Sequence, residues 1–212
     1  MIQKIIIQKI IALDFDGVLA DSFAVAYQAF SEISEKLGIP HFEPEEFRSL
    51  FDGNFYEELR KRGVAKEKIP QVLQEIEENF PDKYIKVQPV PGAKQMLETL
   101  TALGRVYIIS SNITSVIEEY LRRQGFPNVP ILGAEKETSK KKKLFCLKEQ
   151  SPEAPLYFIG DTKGEILEGK AAGVRMLAVT WGYHNKKRLQ EAKPEKIFEK
   201  PKDVVKYFLS LN

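Results

Sequence analysis

The sequence predicts an α/β protein with a doubly wound, mostly parallel sheet and a small all-helical cap inserted after the first strand. Two observations lead to this prediction. From residue 91 onward, short apolar runs alternate with amphipathic segments, which is typical of a parallel sheet covered by helices. Between residues 22 and 85 only helical patterns occur, so the sheet is interrupted directly after its first strand.

The first strand is the apolar run Ile10 to Leu13, and two aspartates follow it. Asp14 and Asp16 are two positions apart, so in an extended chain their side chains point to the same side. Gly17 then permits a turn. Because open α/β sheets bind ligands beyond the carboxyl ends of their strands, the pair suits a hard cation together with nucleophilic and acid–base chemistry. An isolated Asp-x-Asp-Gly segment also fits a simple turn, so the other strand ends must decide.

The segment after the first strand contains four helical patterns. In the first, apolar residues recur at three- and four-residue steps from Phe23 to Leu37. The others span residues 44–51, 54–63 and 70–80. Asn54 is predicted to cap the third pattern. We therefore assign residues 22–85 to a helical cap domain, and residues 1–21 and 86–212 to an α/β catalytic core.

The core continues as an alternation of helices and strands. Strands are predicted at residues 106–109, 129–132, 156–159 and 176–179. Helices are predicted at residues 96–103, 116–121, 140–147, 166–172 and 201–211. This alternation predicts helices on both faces of the sheet.

Composition predicts a globular cytoplasmic protein. The 212 residues are enough for one large core with a small second domain. The 32 basic residues nearly match the 30 acidic ones, so no net charge favours nucleic acid or a membrane surface as partner. No apolar run approaches the ~20 residues that cross a bilayer. The single cysteine, Cys146, excludes an internal disulfide, and we expect it to pack within a helix.

Two further strand ends carry residues with phosphate or metal chemistry. Ser110, Ser111 and Asn112 follow the strand at 106–109, and Gly160 and Asp161 follow the strand at 156–159. In a parallel sheet these ends share one edge with Asp14 and Asp16. A run of four lysines, residues 140–143, stands at the start of the helix between them.

These motifs resemble those of phosphatases in the haloacid dehalogenase superfamily. Asp14 to Ser22 matches the family's D-x-D-G-x-[LV]-x-D-S pattern, and Gly160 to Glu165 is close to its G-D-x-x-x-D pattern. Ser110 and a lysine near Lys140 occupy the places of the two other motifs. The segment Val179 to Tyr183 and the helical insertion are similar to those of phosphoglycolate-phosphatase-like members. The resemblance implies a Rossmann-like core.

The resemblance also implies roles for the acidic residues. Asp14 would be the nucleophile that forms an aspartyl-phosphate, and Asp16 the general acid and base. Mg²⁺ would be held by the Asp14 carboxylate, the Asp16 backbone carbonyl and the Asp161 carboxylate. Glu165 would lie in the outer shell of the metal, where the family more often has aspartate.

Phosphate would be held by hydroxyl, amide and ammonium groups beside these carboxylates. The predicted phosphate-binding residues are Ser110, Ser111, Asn112 and Lys140. Counting back from Leu144 to the start of the helix favours Lys140, with Lys141 as second choice.

The helical insertion would supply contacts to the substrate's leaving group. The candidates are Asn54, Phe55, Tyr56 and Arg60. His41 and His184 fall in apparent loops, and we expect both at the surface.

The predicted function is a Mg²⁺-dependent phosphomonoester hydrolase that acts on a small phosphorylated metabolite through an aspartyl-phosphate. A phosphosugar mutase of the same superfamily would use the same aspartates, and a phospho-acceptor module without turnover is the third possibility. Asp16 disfavours that module because a carboxyl group placed to activate water shortens the life of the phosphorylated state. It also disfavours a dehalogenase, since that branch resembles the motif without the second carboxylate. The oligomeric state stays open.

Overall fold

The computed structural model describes residues 9–84 and 86–211, apart from the side chains of residues 77, 80 and 81. At its centre is a six-stranded sheet in which all neighbouring strands run parallel. The strands are β1 (Ile10–Leu13), β2 (Arg105–Ile109), β3 (Ile131–Leu132), β4 (Leu156–Gly160), β5 (Arg175–Val179) and β6 (Lys196–Phe198). The predicted doubly wound α/β fold is confirmed.

Helices cover the sheet and fill the insertion. They are α1 (Phe23–Leu37), α2 (Pro44–Ser49), α3 (Phe55–Lys61), α4 (Ile69–Tyr84), α5 (Ala93–Leu103), α6 (Thr114–Gln124), α7 (Lys140–Glu149), α8 (Lys163–Ala171), α9 (Lys186–Glu191) and α10 (Pro201–Leu209). A short 3-10 turn, Leu50–Asp52, links α2 to α3. Within the described part of the chain, no helix has the length and apolar character needed to span a membrane.

The strand order creates a crevice beside β1. Across the sheet the order is β3-β2-β1-β4-β5-β6, so the chain builds one side of the sheet first and then returns to build the other. β1 is fully buried and pairs with β2 on one side and β4 on the other. Ligands of open α/β sheets bind at the carboxyl ends of the strands where the order reverses. That point lies between β1 and β4.

The sheet departs from the prediction at its two edges. β3 has only two residues, because Pro130 has no amide hydrogen to donate to a neighbouring strand. The Pro130 carbonyl still accepts a hydrogen bond from the amide of Ile108, with an N···O distance of 2.9 Å. At the opposite edge, α9 and β6 were not predicted. β6 spans three residues, of which Lys196 is exposed, so its apolar pattern is too short to recognise.

The insertion is helical, as its sequence predicts, and no strand occurs among its described residues. α1 ends at Gly38, whose φ of 58° is the left-handed conformation typical of a helix end. Asn54 caps α3 by accepting an amide hydrogen. Phe30 of α1 belongs to the same hydrophobic cluster as Phe15 beyond β1, so the insertion packs against the strand-end side of the core. The division into a cap domain and a core stays a prediction.

Candidate active site

The crevice beside β1 contains a cavity. Residues from three strand ends line it, because β2, β1 and β4 are neighbours in the sheet. The cavity brings together most of the residues predicted for the site: Asp14, Asp16, Ser110, Ser111, Asn112, Lys140 and Asp161. Their placement follows from the topology, since each comes directly after a strand or at the start of a helix.

Asp14 is buried and lies beside Lys140. The Lys140 ammonium is 2.9 Å from the Asp14 carboxylate and also forms an ion pair with Glu165. Burial and the nearby charge of Glu165 raise the pKa of Asp14, and Lys140 opposes that rise. For Lys140, burial favours the neutral form, but the charges of Asp14 and Glu165 prevail and raise its pKa. Lys140 is therefore a permanent cation at the site.

The four lysines at the start of α7 divide by helical spacing. Lys140 and Lys143 are buried, whereas Lys141 and Lys142 are exposed. Residues three apart on a helix share a face, which explains the division. Lys140, the first choice from the sequence, lines the cavity, and Lys141, the second choice, does not.

Lys143 lies behind the cavity wall. Its ammonium donates hydrogen bonds to the carbonyls of Ser110 at 2.6 Å and Leu132 at 3.2 Å. Burial, together with the charge of Lys140, lowers the pKa of Lys143 to about 7. Lys143 thus fixes the backbone at the end of β2, a contact that the sequence pattern does not distinguish from a solvated lysine run.

Asp16 has a hydrogen-bond donor at each carboxylate oxygen. The Tyr84 hydroxyl donates to Oδ1 at 2.5 Å, and the Asn112 side-chain amide donates to Oδ2 at 3.1 Å. Burial raises the pKa of Asp16, and hydrogen bonding with the side chains of Ser22, Tyr84 and Asn112 opposes the rise. A carboxyl group held in one orientation with a raised pKa is suited to general acid and base chemistry.

Asp161 is fully buried at the end of β4. Its Oδ2 accepts a hydrogen bond from the backbone amide of Tyr183 at 2.6 Å, and its Oδ1 has no hydrogen-bond partner. Burial and the charge of Glu165 raise the pKa of Asp161. Gly17 and Gly182 enclose the carboxylate so closely that a Cβ at either position would collide with it. These two glycines are therefore required by the position of Asp161.

Glu165 anchors the start of α8. It forms a capping box with Thr162, and its Oε2 accepts the backbone amides of Asp161 at 2.9 Å and Thr162 at 3.0 Å. Its Oε1 pairs with Lys140. Burial alone would raise the pKa of Glu165, but Lys140 and these hydrogen bonds lower it to about 2. Glu165 is therefore ionised and holds Lys140 in place.

The acidic residues fit a hard divalent cation. Carboxylate oxygens of Asp14, Asp161 and Glu165 lie within 4.8 Å of one another, and all three residues are buried. The unpartnered Oδ1 of Asp161 is a buried polar atom that a cation would satisfy. Lys140 is the only basic side chain among the described residues that line the cavity. Oxygen donors alone, with an excess of negative charge, are the ligands that Mg²⁺ prefers.

The loop after β2 contributes further polar groups to the cavity. The Ser110 hydroxyl accepts the backbone amide of Asn112 at 3.0 Å, and the Asn112 side chain accepts the amide of Ile113 at 2.8 Å. Tyr56 donates from its hydroxyl to the Ser111 carbonyl at 2.8 Å. These contacts fix the loop, so its polar groups face the cavity in a set arrangement.

The candidates from the insertion separate into two groups. Phe55 lines the cavity, and Tyr56 reaches the loop after β2 without lining it. Asn54 and Arg60 do not line the cavity. The Asn54 side chain caps α3 and donates to the Thr138 carbonyl at 3.1 Å, and Arg60 is exposed on the outer face of α3.

Sequence reasoning missed several cavity residues. They are Ala26, Phe30, Phe47, Phe51, Ile76, Tyr84 and Thr162. Tyr183, from the segment after the last predicted core strand, also lines the cavity and lies beside Asp161. The others lie on apolar helix faces or at a helix start, where their residue types fit packing and capping equally well.

Two predictions about single residues are wrong. His184 is fully buried: its Nδ1 accepts the amide of Lys163 at 2.9 Å, and its Nε2 lies 3.1 Å from the Arg48 carbonyl. It thereby joins the core to α2. Cys146 is exposed, because Leu144 and Leu147 occupy the inner face of α7 and leave it on the outer face.

Comparison with known proteins places the chain in a family. The sequence model of the haloacid dehalogenase-like hydrolases matches residues 11–179. Proteins named phosphoglycolate phosphatase are similar along nearly the whole chain. That of Synechococcus elongatus is 26% identical over 92% of this chain and 94% of its own length, and that of Aquifex aeolicus is 26% identical over 93% and 95%.

Solved structures agree with this placement. A haloacid dehalogenase-like family protein from Streptococcus pneumoniae superposes with a TM-score of 0.76 at 25% identity, over 95% of this chain and 98% of that one. A hydrolase from Pseudomonas syringae has the same fold, with a TM-score of 0.80 at 18% identity over 96% and 99%. The predicted resemblance is confirmed: the chain is an enzyme of the haloacid dehalogenase-like hydrolase family.

Proposed function

We propose that this protein is a Mg²⁺-dependent phosphomonoesterase that acts on a small phosphorylated metabolite through an aspartyl-phosphate. The observation that carries the proposal is the position of two aspartates in one cavity with different surroundings. Asp14 is paired with a buried lysine, and Asp16 is held by two neutral donors. The phosphatase names of the similar proteins support the same reaction class.

Asp14 is proposed as the nucleophile. Its carboxylate oxygen attacks phosphorus in line, and the bond between phosphorus and the ester oxygen breaks as the aspartyl-phosphate forms. Lys140, 2.9 Å from Asp14, supplies positive charge for the incoming phosphate. Glu165 holds the Lys140 ammonium on the Asp14 side of the cavity.

Asp16 is proposed as general acid and then general base. In the first step its protonated carboxyl group gives its proton to the departing alcohol oxygen. In the second step the resulting carboxylate takes a proton from water as the water oxygen attacks phosphorus, which releases inorganic phosphate and restores Asp14. Tyr84 and Asn112 hold the carboxyl group in one orientation during both steps.

Phosphate and metal are proposed to share the part of the cavity that the strand ends form, which we call its polar end. The Ser110 hydroxyl, the groups of Ser111 and Asn112, and Lys140 would hold the phosphate oxygens. The Asp14 and Asp161 carboxylates and the Asp16 carbonyl would hold Mg²⁺, with Glu165 outside them. The bound cation offsets the negative charge of the phosphate and carboxylates.

The helical insertion, residues 22–85, is proposed as a cap that excludes water from the attack on phosphorus. Several contacts join it to the core at this cavity; among them, Tyr56 binds the Ser111 carbonyl and Tyr84 binds Asp16.

A screen of phosphorylated metabolites for phosphate release, with Mg²⁺ and with chelator, tests the proposal. We expect release that depends on Mg²⁺ and is lost in Asp14→Asn. Interconversion of sugar phosphates without phosphate release would instead indicate a mutase. A phosphorylated protein that persists in Mg²⁺ would indicate a phospho-acceptor module.

A further inference from the structure

The cavity changes character along its length. The polar end lies at the strand ends, and an apolar wall belongs to the helical insertion. That wall consists of six apolar residues: Ala26, Phe30, Phe47, Phe51, Phe55 and Ile76. The phosphate chemistry occupies the polar end, so the leaving group of a bound ester would extend toward this apolar wall.

The aromatic rings of the wall hold one another in place. Phe51 stacks on Phe55 with ring centres 5.1 Å apart, and Phe47 meets Phe51 edge-on at 5.4 Å. Phe30 meets Phe55 edge-on at 5.6 Å. These separations are within the favourable range for aromatic pairs. The wall is therefore a preformed surface, which lowers the entropic cost of binding a flat apolar group.

The wall offers no positive charge to a substrate. Among the described residues that line the cavity, Lys140 is the only cation, and it is bound between Asp14 and Glu165. Arg48 does not line the cavity: its guanidinium lies 3.8 Å from the centre of the Phe23 ring and donates to the Tyr183 carbonyl. A carboxylate buried against this wall would lose its hydration without gaining a partner, which is costly.

We propose that the leaving group of the substrate is a neutral apolar alcohol, preferably one that carries an aromatic ring. This inference rests on the proposed phosphomonoesterase function. It sets the chain apart from the relatives named for phosphoglycolate, because the leaving group of phosphoglycolate carries a carboxylate. Phe51 is the residue through which the preference is tested, because it is only half-buried and touches the rings on either side.

The first experiment compares esters of primary alcohols. Phosphate release from benzyl phosphate, ethyl phosphate, phosphoglycolate and choline phosphate is measured with Mg²⁺, and kcat/KM is compared. We expect benzyl phosphate to exceed ethyl phosphate by about 30-fold, since apolar groups in a fitting pocket discriminate at that level. Phosphoglycolate should fall at least about tenfold below ethyl phosphate. A preference for phosphoglycolate overturns the inference, and so does a preference for choline phosphate, which would mean that the rings bind a cation.

Variants of the wall form the second experiment. Phe51→Leu should lower the ratio of benzyl to ethyl phosphate by about tenfold, because the flat ring contact is lost. Phe51→Arg should raise the ratio of phosphoglycolate to benzyl phosphate by providing the missing cation. Phe42→Leu is the matched control: Phe42 is a buried ring of the same insertion and meets Phe30 at 6.0 Å, but it does not line the cavity. An equal shift in Phe42→Leu and Phe51→Leu contradicts the assignment of the wall.

Binding of phosphonates separates this inference from the proposed function. The analogues of benzyl phosphate, ethyl phosphate and phosphoglycolate are 2-phenylethylphosphonate, propylphosphonate and 3-phosphonopropionate, and calorimetry measures their affinity without turnover. If 2-phenylethylphosphonate binds tightest and no ester releases phosphate, the phosphatase function is wrong and the apolar subsite stands. If phosphate is released but 3-phosphonopropionate binds tightest, the function stands and the inference is wrong.

Discussion

The hydroxyl of Tyr84 is predicted to set the activity of Asp16. Tyr84→Phe removes one donor, 2.5 Å from Asp16 Oδ1, and leaves the ring, which stacks on Phe15 with centres 6.0 Å apart. The hydrogen bond from Asn112 remains. Loss of one hydrogen bond to a charged group costs about 1.5–3 kcal/mol, which corresponds to roughly a ten- to hundredfold fall in kcat.

The pH profile carries a second signature of this change. The Tyr84 hydrogen bond lowers the pKa of Asp16 against the effect of burial, so its removal should raise that pKa. Protonated Asp16 is needed to release the alcohol, so the basic limb of kcat/KM should move to higher pH in Tyr84→Phe.

Tyr120→Phe is the matched control for this variant. Tyr120 is also buried and meets Phe15 edge-on at 5.1 Å, but its hydroxyl has no hydrogen-bond partner among the described residues. Its loss should change kcat by less than about twofold. Phosphate release across a pH series measures both variants. The reasoning is refuted if the two variants lose activity equally, or if Tyr84→Phe keeps full activity and an unmoved profile.

Three further predictions address the nucleophile, the metal and the buried lysine. Asp14→Asn should abolish turnover, and no phosphorylated protein should be trapped by acid quenching. Asp16→Asn should reduce turnover but keep the affinity for Mg²⁺, which titration calorimetry measures. Equal loss of Mg²⁺ affinity in both variants would contradict the proposed ligands. Without Mg²⁺, Asp161→Asn should be at least as stable as the parent, because burial and Glu165 oppose the ionised Asp161. With Mg²⁺ at a hundred times Kd, the parent alone should gain about 2.7 kcal/mol in thermal or denaturant unfolding, and a similar gain in the variant would exclude Asp161 as a ligand. The lowered pKa of Lys143, about 7, means that the unfolded state binds more protons between roughly pH 7 and 10, so the free energy of unfolding should rise across that window. Lys143→Met should lack this rise, and the exposed Lys141→Met should keep it. If the free energy of unfolding depends on pH in the same way in both variants, the lowered pKa of Lys143 is disproved.

The fold was predictable because its signals are local and repeated. Apolar runs that alternate with amphipathic segments specify a parallel sheet, and the purely helical pattern of residues 22–85 predicts the insertion. β6 and α9 escaped prediction because each is short and stabilised by its neighbours. β6 pairs with β5 at the sheet edge, where partners rather than propensity decide the structure.

The polar half of the site was predictable for a topological reason. Asp14, Ser110 and Asp161 each follow a strand of the same parallel sheet, so their convergence needs only the strand order. The choice among the lysines needed the helical register, and counting from Leu144 identified Lys140. The prediction that His184 lies at the surface was wrong because its partners are backbone groups, the Lys163 amide and the Arg48 carbonyl. Contacts with backbone groups do not produce a recognisable spacing of side chains in the sequence.

The apolar half of the site was not predictable, and the reason bears on specificity. Phe47 and Phe51 lie on helical faces whose apolar spacing predicts burial, and in the folded protein they contact both one another and the cavity. A sequence pattern reports that a side chain avoids water but does not distinguish a neighbouring ring from a substrate as its partner. Phe42 and Phe51 have the same residue type and segment, yet only Phe51 lines the cavity. The polar residues at the strand ends therefore indicate the reaction class, and their convergence can be predicted from the sheet topology. The apolar residues of the insertion bear on the proposed substrate preference, and they can be identified only once the positions of the helices around the cavity are known.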